Sequence, residues 1–273
     1  MHGQHGPQPQ DQPKQKQTHT QQRSTMASCL LLDMDGVLAE VSQSYRAAIV
    51  ETCHKYGAKS VTQDTVLEWK IKGGSNNDWV LSLDLINADA DGQKGLSLDQ
   101  VTETFEEFYQ GTADKTGLCE LETLIPTKAT LDALQQRCGT KMAIVTGRPR
   151  KDCDKFLKQH GIDHYFTASV CMEDGPPKPD KFPVARACEL LGVTPSTTNV
   201  IMVGDTPDDI RAAVAAGCTG VGVVTPEAAE ECAKRNEPYE SAKLCVAMKE
   251  CGASTILEAG FEKLVDMFAE PTK

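Results

Sequence analysis

Two aspartates one residue apart, Asp33 and Asp35, end an unbroken apolar run in LLLDMDGVLAE (residues 30–40), and Gly36 follows them. Three more polar stretches stand in comparable settings. Thr146-Gly147-Arg148 follows an apolar run, Lys178 sits between prolines in EDGPPKPDK, and Gly204-Asp205-Thr206-Pro207-Asp208-Asp209 follows a further apolar run. Taken singly, each has an ordinary explanation as a turn, a helix cap or a solvated loop charge. Taken together, they describe one kind of chemistry. Gathered carboxylates repel one another unless a cation stands among them, and Mg²⁺ is the hard cation that takes oxygen ligands and keeps several waters. Such a site shields a phosphoryl group's charge from an attacking carboxylate. Asp33 can then act as a nucleophile on phosphorus, as carboxylates do when they form aspartyl-phosphates. Asp35 can protonate the leaving oxygen and later deprotonate water. The Thr146 hydroxyl and the Gly147 N–H would hold non-bridging oxygens, and Lys178 would neutralise charge on the phosphoryl group and on Asp33.

Residues so far apart in the chain must be brought to one place by the elements that carry them. CLLLD (29–33), KMAIVTG (141–147), FTASV (166–170), NVIMVGD (199–205) and TGVGVV (219–224) read as strands. KDCDKFLKQHG reads as a helix closing on Gly161, and PDKFPVARACELLG as one closing on Gly192. Strands alternating with helices predict an α/β fold: a doubly wound, parallel, Rossmann-like sheet whose ligands sit beyond the carboxyl ends of the strands. The polar stretches fall at those ends. Between the first two strands, however, lie roughly a hundred residues, far more than the few tens a βα crossover needs. That segment reads as an inserted helical unit. SYRAAIVETCHKYG stops at Gly57, SLDQVTETFEEFY opens with Ser97 and Gln100 as a capping box, and Pro126 marks the return before TKATLDALQQRCG. The expected organisation is a core of residues 26–42 and 123–273, a helical cap of residues 43–122, and a tail of residues 1–25.

Composition excludes several classes of function. The net charge of −11, from 39 acidic against 28 basic residues, leaves no basic face for a nucleic acid. The 11 cysteines are scattered singly from Cys29 to Cys251 without a CxxC pair, so they read as reduced, buried thiols and suit a cytoplasmic location. No stretch is long and apolar enough to cross a bilayer, and no membrane partner is expected. The first 25 residues are rich in Gln, His and Pro and are expected to be disordered. They lack the apolar middle of a secretory signal, and with Arg23 as their one arginine they do not read as a transit peptide; Met26 is a possible alternative start.

On the motifs DMDG, TGR, KPD and GDTPDD, residues 28–268 resemble a haloacid dehalogenase superfamily phosphatase with a helical, C1-type cap inserted after the first motif. The resemblance implies that Asp33 is the nucleophile and Asp35 the acid and base. It implies Mg²⁺ held by the Asp33 carboxylate, the Asp35 carbonyl and Asp205, with Asp209 supporting the ion through water. It matches Thr146 to the phosphate-binding hydroxyl and Lys178 to the lysine of the third motif. Relatives often have proline where this chain has Lys181, so the shape of that loop stays open. Dehalogenases lack an aspartate at the position of Asp35 and transport ATPases carry threonine there, so phosphate-ester chemistry is implied. The general form resembles phosphoglycolate phosphatases, acting on a small phosphorylated metabolite. A phosphomutase, a phosphatase for another metabolite such as histidinol phosphate, and a non-catalytic binding module are the alternatives.

The cap is expected to choose the substrate. In KGGSNNDW (72–79), Gly73-Gly74 permits a tight loop, and Gly74, Asn76, Asn77 and Asp78 are candidates for substrate contact; the same residues equally read as a helix cap beside a core Trp79. Gly147 and Arg148 are candidates from the core, Arg148 for an anionic end of the substrate. NADADGQKGLSL (87–98) imitates a calcium loop. Lys94 at its eighth position and Leu98 at its twelfth, where a bidentate glutamate belongs, make it a solvated loop instead.

Overall fold

The structure, a computed structural model, describes Met1 and residues 28–196 and 198–270. The expectations for the tail of residues 1–25 and for Met26 lie outside the described residues. Strand β1 (Cys29–Leu32) is four apolar residues buried on both faces, as an interior parallel strand requires. A short strand β2 (Ala39–Glu40) follows, and helices α1 (Tyr45–Lys55), α2 (Gln63–Lys72), α3 (Asp78–Ala88) and α4 (Leu98–Gln110) then form the insert. The Ser97 side chain accepts from the Gln100 N–H and the Gln100 side chain accepts from the Ser97 N–H, so the capping box that starts α4 is present. A hairpin of β3 (Gly111–Thr112) and β4 (Lys115–Thr116) precedes β5 (Thr123–Leu124). Strand β5 pairs antiparallel with β2, so the chain leaves for the insert and returns from it along one two-stranded stalk.

Helix α5 (Lys128–Cys138) leads into β6 (Met142–Val145). The rest alternates: α6 (Arg150–His160), β7 (Ala168–Val170), α7 (Phe182–Leu190), β8 (Val200–Gly204), α8 (Pro207–Ala215), β9 (Thr219–Val223), α9 (Pro226–Lys234), α10 (Lys243–Glu250) and β10 (Thr255–Leu257). Among the described residues the main sheet is six-stranded and parallel, in the order β10-β9-β8-β1-β6-β7. Side chains alternate across it. Leu30, Leu32, Ile144, Ile201 and Val203 face α5 and α6, while Cys29, Leu31, Val145 and Met202 face α7 and α8.

The five expected strands are all in the sheet, and β10 is a sixth that the sequence reading lacks. Gly161 closes α6 in the left-handed conformation, as expected. The strand order reverses between β1 and β8, and there Leu32 lies level with Val203. The residues that follow, Asp33 and Asp205, therefore emerge side by side in the crevice where open α/β sheets bind ligands. The calcium-like loop holds a lysine at its centre, with Lys94 Nζ donating to the carbonyls of Asn87 at 2.9 Å and Asp89 at 2.6 Å.

Candidate active site

Asp33 is buried in the crevice, and its carboxylate lies 2.9 Å from Lys178 Nζ. The same ammonium donates to Asp209 Oδ1 at 2.5 Å and to the Val145 carbonyl at 3.1 Å, so one lysine ties together the ends of three elements. Burial works against the charge on Lys178, but Asp209 and Asp33 outweigh it and raise its pKa. Burial pushes the Asp33 carboxyl well above the usual range; Lys178 opposes that shift, and Asp209, Asp205 and Asp35 add to it. The Asp205 carboxyl is pushed up to about 7 by burial, with Arg46 of α1 opposing and Asp209 adding to the effect. Asp209, in the first turn of α8, is held by the N–H of Thr206 at 3.0 Å and by its hydroxyl at 2.6 Å.

Among the described residues, Asp33, Asp205 and Asp209 bring carboxylate oxygens within 4.8 Å of one another, all three buried. Lys178 and Arg46 are the cations in direct contact with these carboxylates, Arg46 Nη2 at 3.2 Å from Asp205 Oδ2 and also paired with Glu227. An all-oxygen donor set with an excess of negative charge fits a hard divalent cation. The Asp35 carboxylate is not in this cluster, because Arg148 holds it. Gly36 has φ +71, and a Cβ there would lie 2.2 Å from Asp205 Oδ2, so glycine is needed both for the turn and for the approach of Asp205.

The second expected group also converges. Thr146 follows β6 and is buried, its Oγ1 accepting from the Arg148 N–H at 3.1 Å. Gly147 packs against Asn76 of the insert, so the loop of residues 73–77 reaches the rim of the core. A cavity of about 50 Å³ lies between them, walled by Asp33, Asp35 and Asp205 below and by Lys70, Asn76 and Asp78 above.

Several residues of the insert behave differently from one another. The Asn77 side chain accepts from the N–H groups of Trp79 at 3.0 Å and Val80 at 3.1 Å. It is the N-cap of α3, the second of the two readings its sequence offered. Gly74 donates its N–H to Asp208 Oδ2 at 2.7 Å, so it latches the insert to α8 and does not line the cavity. Asp78 lines the cavity and pairs with Lys70 Nζ at 2.9 Å. Arg148, expected to receive a substrate's anionic end, is 1% exposed and its guanidinium already binds Asp35 and Glu122. A buried guanidinium satisfied by two carboxylates has no fork to offer an incoming anion.

Arg46, Lys70 and Glu122 are site residues that sequence reasoning missed. For Arg46 a faint signal existed, a basic residue beside the buried stripe Tyr45, Ala48, Ile49 of α1. Nothing local marks Glu122.

The sequence profile of the haloacid dehalogenase-like hydrolases matches residues 30–223. The chain belongs to the haloacid dehalogenase-like hydrolases. This hydrolase is 31% identical over 195 residues to a phosphoglycolate phosphatase of Pasteurella multocida, spanning 70% of this chain and 83% of that protein. It is 45% identical over 248 residues to a Phytophthora nicotianae protein named imidazoleglycerol-phosphate dehydratase, covering 89% of this chain and 53% of that protein. The hydrolase thus spans about half the length of the Phytophthora relative. A crystal structure described as a predicted phosphoglycolate phosphatase from Haemophilus somnus 129pt shares its fold, with a TM-score of 0.66 and 22% identity over 87% of this chain and 96% of that one. Family and relatives together make this hydrolase a phosphatase, similar to the phosphoglycolate phosphatases. Among the described residues no helix is long and apolar enough to cross a membrane.

Proposed function

We propose that this phosphatase hydrolyses a small phosphate monoester of the phosphoglycolate kind, through an aspartyl-phosphate on Asp33 and with Mg²⁺ in the carboxylate cluster. The observation that carries the reading is the convergence of Asp33, Asp205 and Asp209 on one buried point, with Lys178 bonded to two of them. In this reading residues 43–122 are a cap over a core of residues 26–42 and 123–273. The ion would be held by Asp33, Asp205, the Asp35 carbonyl and, through water, Asp209. When bound it would offset the charge of the phosphoryl oxygens and of Asp33.

The remaining steps fall to side chains. The substrate's phosphate is received by the Thr146 hydroxyl and the Gly147 N–H, and Lys178, bonded to Asp33, Asp209 and the Val145 carbonyl, supplies positive charge beside it. An Asp33 oxygen forms a bond to phosphorus while the bond to the leaving oxygen breaks, and Asp35 gives that oxygen a proton. Asp35 then takes a proton from water as the water oxygen bonds to phosphorus. The Asp33–phosphorus bond breaks, which frees phosphate and restores both aspartates. A cavity of about 50 Å³ has room for a few water-sized groups, which favours a short leaving group. Lys70 in its wall, an ammonium whose one carboxylate partner among the described residues is Asp78, suits the carboxylate of a two-carbon acid.

One observation favours a second substrate: the Phytophthora relative is named for a phosphate ester that carries an imidazole. An ester carrying an imidazole, such as histidinol phosphate, is therefore the compound to assay beside 2-phosphoglycolate, with Asp78 as the anionic partner for a charged ring. The test of the chemistry is Asp33→Asn, which preserves shape and removes the nucleophile. Activity is expected to fall below about a hundredth of wild type at unchanged circular dichroism. Chelation is expected to abolish wild-type activity, and added Mg²⁺ to restore it. A folded variant above that level, or an enzyme indifferent to chelator, would refute the mechanism.

A further inference from the structure

Arg148 reaches the candidate acid and base from inside the protein. Its Nε donates to Asp35 Oδ1 at 2.6 Å, and Nη2 lies 2.6 Å from the same oxygen. On its outer edge Nη1 donates to Glu122 Oε2 at 2.9 Å and Nη2 to Glu122 Oε1 at 3.1 Å, with Tyr109 Oη a further acceptor at 3.3 Å. The guanidinium lies over the rings of Tyr45 at 4.7 Å and Phe156 at 5.4 Å. Glu122 is itself held by the Ser44 hydroxyl at 2.8 Å and the Tyr109 hydroxyl at 3.1 Å. Ser44, Tyr45 and Tyr109 belong to the insert, and Glu122 precedes β5 in its stalk.

We propose that Arg148 is a positioning residue for Asp35, anchored by Glu122, so that the insert and its stalk set the orientation of the acid and base. The inference rests on the reading of Asp35 given above. With Oδ1 fixed by two guanidinium nitrogens the carboxylate cannot turn about its bond, and Oδ2 is the oxygen left to face the reacting atoms. The Asp35 side chain keeps 29% of its surface exposed, so that oxygen has access to the cavity. Only a planar fork can bridge two carboxylates on opposite edges in this way; a lysine's point charge cannot.

The test removes both buried partners together, Arg148→Met with Glu122→Gln, so that Glu122 is not left buried without its counter-ion, while Asp35 keeps its exposed face to water. Turnover of 2,4-dinitrophenyl phosphate with Mg²⁺ is measured in the wild-type and in the Asp35→Asn backgrounds. This ester's leaving group needs no proton, so phosphorylation of Asp33 proceeds in the Asp35→Asn enzyme as well, and kcat reads the step in which Asp35 serves as base toward water. In the wild-type background kcat is expected to fall by about 30- to 300-fold, within the contribution of a well-placed acid or base. KM is expected to stay within about threefold. In the Asp35→Asn background the same change is expected to alter kcat by less than about twofold, because its effect passes through Asp35. An equal factor in both backgrounds, or an unchanged kcat in the first, would overturn the proposal. If the double substitution does not fold, Glu122→Gln alone decides. It leaves Arg148 in place with a weaker anchor, and is expected to lower kcat by about 3- to 10-fold with no effect in the Asp35→Asn background. Should Asp35→Asn by itself leave kcat unchanged, the acid–base reading fails. Should it cripple the enzyme while the Arg148 change multiplies independently, only the role of Arg148 fails.

Discussion

Gly147→Ala tests whether the loop of residues 73–77 must rest on the core for turnover. Gly147 lies outside the left-handed region of backbone space, so alanine brings no backbone strain there. The obstacle is Asn76 alone: the new Cβ would stand 2.4 Å from its Oδ1 and 2.7 Å from its carbonyl oxygen. Such atoms rest at about 3.5 Å, so the loop has to withdraw by about 1 Å. A displacement of that size at a reacting centre costs about a hundredfold, which corresponds to about 2.7 kcal/mol of transition-state stabilisation. The core is untouched and Gly147 lies at its rim, so Tm is expected to change by no more than about 3 °C, the shift of under 1 kcal/mol in a chain of this size. The assay is kcat/KM for 2-phosphoglycolate and p-nitrophenyl phosphate, with thermal unfolding alongside. Adding Asn76→Gly to Gly147→Ala removes the closer of the two clashes and is expected to restore part of the loss. Activity of Gly147→Ala within twofold of wild type would refute the reasoning, since the loop would then work without touching Gly147. A large fall in Tm would refute it differently, by making Gly147 a core position.

Asn77→Ala removes the acceptor for the Trp79 and Val80 N–H groups and is expected to cost about 1 kcal/mol of stability, read by denaturant unfolding. Its activity on 2-phosphoglycolate and on p-nitrophenyl phosphate should fall by the same factor; a selective loss for 2-phosphoglycolate would return Asn77 to the substrate site. His160 packs against Phe156 at 4.3 Å, and burial, helped by Lys128 and Arg148, holds its pKa below 6.5. The unfolded chain therefore takes up the proton first, and stability is lost as pH falls from 6.5 through the lowered folded value. His160→Gln is expected to flatten this part of the stability profile relative to wild type, and identical slopes in the two proteins would show that the ring does not contribute.

The sequence by itself determined those features whose signals are local. A run such as Cys29–Leu32 is buried on both faces because it has no polar side chain to expose, and five such runs sufficed to predict a parallel sheet. The acidic and basic groups at their ends then had to meet in the crevice, since parallel strands present all their carboxyl ends to one side. The Ser97–Gln100 box and the Gly161 terminus were legible because capping is decided within one turn of helix. The three-residue β10 was not, being too short to show a period and defined by its pairing with β9.

Tertiary structure alone decided what the long polar side chains do. Arg148 followed a motif that suggested a ligand for substrate, yet its partners are Asp35, 113 positions away, and Glu122, 26 positions away. Where a guanidinium points is set by which carboxylates packing brings within its reach, and local sequence carries no record of that. The same holds for Arg46, whose partner Asp205 lies 159 positions on, and for Gly74, whose amide meets Asp208 across the join of insert and core. Asn77 is the converse case. Its partners are two and three residues away, so the cap was visible in the sequence, and folding decided only that its oxygen faces the helix.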